Sequence, residues 1–337
     1  MGKSSKVVIP LAALGALLVA SAAVLNWVVV PGSKQLPEDT NTTRQFSGTA
    51  KYLLNPQAVA AGDLANALLS NVPVTAERTV KVQATDGDAA KVSDLRSLKG
   101  PTGQELGKSD TTYAVDRKTL EKAGKKPAGW TVTDHQGLTV SWSIGAEKKE
   151  YTAWLNETKT TTAVKFVREE TKGGVSSYVY EATSAAAPIK DEQVLAALPK
   201  ALPAKALAAL APKLPIPDSA KGQLSQALPA LGDPVPLSYT YEVKSSYWVE
   251  PATGLVVDTE RTEIRKVVIG GSLAVPIYEV STKFTDASVT AAAKDATDKR
   301  DSLNTYGKTL PLGLLVAGLV ALAAAAAAGI MGRRRTE

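Results

Sequence analysis

The chain contains no cysteine and a single histidine, His135, in 337 residues. Without disulfides, any folded domain must be held by its own core, which a chain of this length can build. The same shortage excludes thiolate catalysis and zinc sites made from Cys or His clusters, and leaves a Ser-His-Asp triad only if His135 serves in it. Charge of one sign is also scarcer than it looks. Of the net +6, Lys3, Lys6, Arg333, Arg334 and Arg335 against Glu337 supply +4 at the two ends, and the long middle carries only about +2. A nearly neutral middle removes the electrostatic reason for nucleic-acid binding, despite a pI of 9.2.

What the ends have is hydrophobic length. Residues 7–30 are interrupted only by Pro10, Ser21 and Asn26. At 1.5 Å per residue such a helix is about 36 Å long, enough for a hydrocarbon core of about 30 Å. Lys3 and Lys6 precede it and Trp27 marks an interface, so the positive-inside rule places residues 1–6 in the cytoplasm. Ala20-Ser21-Ala22 offers the competing reading, a cleaved signal peptide. Residues 310–331 form a second span, followed by Arg333, Arg334 and Arg335 in a cytoplasmic tail, 332–337. Two spans with cytoplasmic termini put residues 31–309 outside the plasma membrane. Small residues at i, i+4 (Ala12, Ala16 and Ala20; Gly313 and Ala317) would let the two helices approach closely.

The middle reads as antiparallel β with a helical insertion, an α+β class. Residues 55–69 read as a short helix, with Pro56 in its first turn and Val59, Leu64, Leu68 and Leu69 as its stripe. Alternation then predicts strands at 74–83, with Arg78 interrupting the apolar face, and at 89–95 after an Asp86-Gly87 turn. Further strands are expected at 112–115, 131–133, 138–144, 151–155, 162–167, 177–183, 239–249, 255–264 and 275–284. Residues 185–236 hold nine prolines between Leu/Ala-rich runs of one or two turns, which are too short to be stable alone. They form a helical insertion covering one end of the sheet, a mobile apolar cap over a hydrophobic ligand, or a linker. In the cap reading the ligand-facing residues are Leu195, Leu198, Leu202, Leu207, Leu210, Leu224 and Leu228. Residues 288–304 suit a charged stalk helix, with i, i+4 pairs Lys294–Asp298 and Asp295–Lys299.

Several segments resemble the actinobacterial porin PorA family: GLTVSWSIGAEKKE at 137–150 with the strands after it, Tyr113 to Thr119, YWVEPATGLVVD at 247–258, and Thr309-Leu310-Pro311 before the last span. Trp142-Ser143-Ile144 stands where the family shows Phe-Pro-Phe. The resemblance implies a two-anchor membrane protein with a large extracellular domain, and brings no catalytic residues. A membrane barrel would need aromatic girdles, and aromatics are only 5% here. The two-anchor plan is similar to that of class B scavenger receptors, which carry lipid through a tunnel beneath a helical cap.

No enzyme site emerges from the inventory, and no cofactor is implied. His135 reads as a surface turn residue, and Asp116-Arg117 and the acidic-basic run 147–150 as solvated charge. Glu169 and Glu170 are strand neighbours pointing to opposite faces, so they cannot share a substrate. The expected function is a non-enzymatic envelope protein binding or transferring a lipid or other hydrophobic ligand. An envelope scaffold with protein partners and a porin-like channel are the alternatives.

Overall fold

The computed structural model describes residues 5–55, 58, 61–63 and 66–334. Lys3, Pro56, Val59, Leu64, Arg335 and Glu337 lie outside the described residues, as do the side chains of Lys6, Arg333 and Arg334. In chain order the helices and strands begin with α1 (Ser5–Val24), a π-helical turn (Leu25–Val29) and α2 (Val30–Ser33). Strands β1 (Asn41–Leu54), β2 (Leu68–Asp86), β3 (Ala89–Lys99) and β4 (Glu105–Asp116) come next, then β5 (Tyr151–Leu155), β6 (Thr160–Lys172), β7 (Val175–Thr183) and the two-residue β8 (Ala187–Pro188). The insertion contributes α3 (Glu192–Ala196), β9 (Ala201–Leu202), α4 (Ala204–Leu210) and α5 (Asp218–Ala227). Strands β10 (Val235–Val249), β11 (Val256–Ile269) and β12 (Leu273–Phe284) precede α6 (Asp286–Asn304), a second π-helical turn (Thr305–Thr309) and α7 (Leu310–Arg334). Two compact units result, Met1–Pro37 with Asp295–Glu337, and Glu38–Lys294.

Among the described residues two helices are long and apolar enough to cross a membrane, Val8–Ser33 and Asp286–Met331. α1 and α7 run antiparallel, with Val8 facing Gly329, Gly15 facing Gly318 and Leu322, and Val30 facing Gly307. A Cβ on Gly15 would fall 2.7 Å from Leu322 Cγ and 2.8 Å from the Gly318 carbonyl, and one on Gly318 would fall 2.9 Å from the Gly15 carbonyl. The backbones therefore touch where neither side has a side chain. Gly15 and Ala22, like Pro311, Gly318 and Ala325, are buried at seven-residue intervals. Ala16, Ala20, Gly313 and Ala317, expected at the seam, are exposed, because a helix pair sustained over several turns follows the heptad rather than a four-residue stripe.

The second unit is one antiparallel sheet in the order β4-β3-β2-β1-β12-β11-β10-β7-β6-β5, with β8 and β9 added along β10. Three meanders (β1 to β4, β5 to β7, β10 to β12) are joined where β12 pairs with β1 and where β10 pairs with β7. Strands β4 and β5 are consecutive in the chain yet lie at opposite edges, so residues 117–150 must cross from one edge to the other. Thr133 N donates to Thr112 O of β4 at 2.7 Å, while Leu138 N donates to Thr152 O of β5 at 2.8 Å. Five residues reach about 18 Å at most. Nine strand spacings in a flat sheet would amount to about 43 Å. The sheet is therefore curled until its edges nearly meet, and the crossing segment straps them together.

This strap replaces two expected strands, 131–133 and 138–144. Their alternation is real, since Leu138, Val140 and Trp142 are all buried, but beyond a single parallel bridge from Leu138 to Ala153 of β5 they pack across the sheet face and extend no strand. Three docking bonds hold the strap to the β10–β11 turn: Ser141 Oγ to Gly254 O at 2.8 Å, Trp142 N to Gly254 O at 3.3 Å and Ala146 N to Pro251 O at 2.8 Å. Buried Glu250 shapes that turn by accepting from Thr253 N and Oγ1 at 2.8 and 2.7 Å. Gly254 has φ +72°, and a Cβ there would lie 2.3 Å from Trp142 O, so only glycine admits the strap. The expected helix at 55–69 does not extend to its last residues: Leu68 and Leu69 open β2 and pair with Leu54 and Leu53. Strand β1, absent from the expected set, brings Asn41–Leu54 into the centre of the sheet.

Candidate functional site: the interior of the curled sheet

Strand parity decides what the interior contains. On β10 the inward residues are Tyr239, Tyr241, Val243 and Ser245, and on β11 they are Arg261, Glu263, Arg265, Val267 and Ile269. One end of the interior is apolar. Leu207 of α4 and Leu224 and Leu228, of and just after α5, are buried in one cluster with Tyr239, Val267, Val275 and Ile277. Leu195, Leu198 and Leu202 pack against the same cluster, and Leu210 is half-buried. The residues expected to form a cap thus converge on β10 to β12, in helices that prolines keep short. Asp191 starts α3, its carboxylate accepting from Gln193 N and Val194 N.

Further along β10, at Tyr247, the strap inserts Trp142 into an aromatic group. Its ring stacks on Tyr180 at 5.3 Å and lies 5.1 Å from Tyr247, with Tyr151 edge-on to Tyr180 at 5.6 Å. Tyr180 OH donates to Glu147 O at 2.6 Å, and burial pushes its phenol well above the usual tyrosine range.

The other part of the interior is charged. Asp94 of β3, 3% exposed, accepts two bonds from Arg78 (2.8 and 2.9 Å) and two from Arg96 (3.3 and 2.8 Å). Burial alone would raise its pKa, but the two guanidiniums outweigh burial and hold the carboxyl below the usual range. Across the curl, Glu263 accepts from Tyr241 OH at 2.7 Å and Arg261 Nη2 at 3.1 Å. Burial opposes its charge, yet Arg261 and Arg265 bring it down to about 2. Arg265 forms a two-pronged pair with Glu157 at 2.8 and 2.6 Å, its guanidinium 4.2 Å from the Tyr278 ring. Arg96 and Arg261 are four strand spacings apart along the sheet, but the curl brings them close enough for Arg261 to act on the charge of Arg96.

Sequence reasoning missed this row. Its signal was present: Asp94 and Arg96 lie between Val92 and Leu98, and Arg261, Glu263 and Arg265 run in step with Val257 and Val267. Charge at inward positions of a strand marks a polar interior. His135 is a second correction. It is 2% exposed and edge-on to Tyr113 at 5.0 Å, because the strap that carries it lies against β4, and desolvation lowers its pKa. Arg117 is likewise buried, bonding Glu38 Oε1 at 3.2 Å, while Lys148 and Glu169 pair at the surface.

Two membrane-length helices and a curled sheet with a lined interior define a helix-anchored, β-rich membrane protein. The Porin PorA family model matches residues 9–327, and the chain belongs to that family. No curated protein matches it. Solved structures with weak similarity include the peroxisomal multifunctional enzyme type 2 from Drosophila melanogaster, 11% identical over 73% of this chain and 37% of that one, TM-score 0.14. This chain therefore spans little more than a third of that enzyme's length. An N-terminal dehydratase from the difficidin assembly line is 10% identical over 77% and 99%, TM-score 0.13. A MaoC domain protein dehydratase from Chloroflexus aurantiacus is 10% identical over 79% and 81%, TM-score 0.14. Such TM-scores do not establish a shared fold.

Proposed function

We propose that the chain is a non-enzymatic cell-envelope protein whose β domain, held outside the plasma membrane by α1 and α7, binds or transfers a lipid or other apolar molecule beneath α3 to α5. The observation that carries this reading is the helical cover itself. Three short helices, broken by proline, meet β10 to β12 through leucines, valines and alanines. The helices α4 and α5 meet the sheet through apolar contacts, while β9 on β10 and the bond from Tyr239 OH to Pro199 O at 2.6 Å tether the start of the cover, so the helices can shift over an apolar guest about that tether. The topology is supported by the antiparallel pair, which brings the first turns of α1, where the sequence has Lys6, beside the last turns of α7, where it has Arg333 and Arg334. Trp27, 76% exposed, and Tyr306 sit in the π-helical turns toward the opposite end, as interface anchors do.

The family description favours a channel as the second reading. Outward positions of the sheet, however, carry ion pairs such as Lys266–Glu242 at 2.8 Å and Lys51–Glu279 at 3.2 Å. Lipid tails do not solvate such pairs. The helices, not the sheet, are the membrane-crossing elements in this reading. Native mass spectrometry of the full chain released from nanodiscs tests the proposal. A stoichiometric lipid adduct is expected; a bare chain under conditions that preserve the fold would sink it.

A further inference from the structure

The charged half of the interior contains polar atoms that its own ion pairs do not use. Ser245 is 5% exposed, and its Oγ has no hydrogen-bond partner. Its cross-strand partner is Arg261, whose buried Nε is also without a partner, although Nη2 is engaged by Tyr241 OH and Glu263. A third such atom, Thr139 Oγ1, lies on the strap, beside the carbonyl that Arg78 Nη2 reaches at 3.1 Å. Leaving one buried polar atom unsatisfied is costly, and two on directly paired strand positions call for a shared occupant.

The local charge indicates its sign. Arg78, Arg96, Arg261 and Arg265 face Asp94, Glu157 and Glu263, so the row holds one more cation than anion. Arg261 disfavours the charge of Arg96, an effect partly offset by Glu263, which is hydrogen-bonded to Arg261 and acts on Arg96 only through space. An oxyanion at this point would accept from Arg261 Nε and Ser245 Oγ and relieve that repulsion.

We infer that the interior of the curl holds an oxyanion site, built on Arg261 and Ser245 and completed by Arg96 and the strap at Thr139, that takes a phosphate-type group. This site is distinct from the apolar cluster and does not rest on the lipid reading. The phosphate can come from solution or from an anionic lipid headgroup.

The full chain in detergent, titrated with inorganic phosphate at constant ionic strength and followed by thermal unfolding, tests the site. Wild type is expected to be stabilised. Arg261→Gln should weaken the apparent affinity by about tenfold or more, and Ser245→Ala by about threefold, since the first removes a charge-assisted donor and the second a neutral one. Lys266→Gln, on the outward face, should leave it unchanged. Native mass spectrometry from nanodiscs separates the sources. Phosphatidylglycerol retained by wild type but not by Arg261→Gln identifies a headgroup, and a phosphate response with no retained lipid identifies the free anion. The inference fails if wild type shows neither, or if the response persists undiminished in both variants. It also fails if Ser245→Ala raises the melting temperature equally with and without phosphate, the behaviour of a serine that only water satisfies.

Discussion

Removing the charge of Asp94 is the sharpest perturbation of the interior. Asp94→Asn keeps the side chain's size, but the amide offers one acceptor oxygen where the carboxylate offered two. Of the four hydrogen bonds from Arg78 and Arg96, at least two are lost, and both guanidiniums lose their counter-charge. Breaking a buried pair from one side typically costs about 3–5 kcal/mol. The two arginines are not equally placed: Arg78 is 23% exposed and Arg96 is 40%. Water can resolvate much of Arg96, so the lower end, about 3 kcal/mol, is expected. The same asymmetry ranks the partners. Arg78→Gln should cost about 2 kcal/mol or more, because Arg78 also bonds the strap at Thr139 O and its loss frees the strap. Arg96→Gln should cost about 1 kcal/mol, as a partly screened pair does. Urea unfolding of the full chain in mild detergent, read by the fluorescence of the interior tryptophans, measures all three. An Asp94→Asn change within about 0.5 kcal/mol of wild type would refute the reasoning, since that is the range of an ordinary surface substitution. Equal costs for Arg78→Gln and Arg96→Gln would refute the exposure argument.

Two further outcomes are expected. Gly318→Leu should separate α1 from α7, because its Cβ alone would press on Val19 Cγ2 and the Gly15 carbonyl; a cysteine pair at Val8 and Gly329 that crosslinks in the parent should no longer do so, and undiminished crosslinking would dismiss the seam. His135 should make stability fall with acid. Its neutral form is favoured by burial, so nothing is lost above the unfolded value near 6.5. Stability then declines as pH drops from there toward the lower folded value, where protonation of the unfolded chain is favoured. Glu263, held at about 2 against an ordinary 4.5, adds its own loss only below about 4.5. The slope between about pH 6.5 and 4.5 should therefore flatten in His135→Phe, and an unchanged slope would remove His135 as its source.

The membrane-length helices were legible in the sequence because hydrophobic length is a one-dimensional property. No neighbour is needed to know that 7–30 and 310–331 are apolar for longer than a soluble helix requires. Most strands were legible for a similar reason, since alternation records which side of a ribbon is buried. The short helices at 192–227 were legible from proline spacing and leucine content. Three things were not. The strap carries the alternation of a strand, and only the placement of β4 and β5 at opposite edges turns 117–150 into a crossing segment. His135 sits among turn residues, and only that crossing buries it. The seam between α1 and α7 depends on which of many small residues face each other, and in chains this rich in alanine the answer lies in the antiparallel register, with Gly15 against Gly318. The charged row lies between the two cases: inward parity of Asp94, Arg96, Arg261 and Glu263 is written in the strands, but their meeting is not. Residues from β3 and β11 become neighbours because a right-handed strand twist, accumulated over ten paired strands, coils the sheet onto itself. Distance through space then no longer follows distance across the sheet.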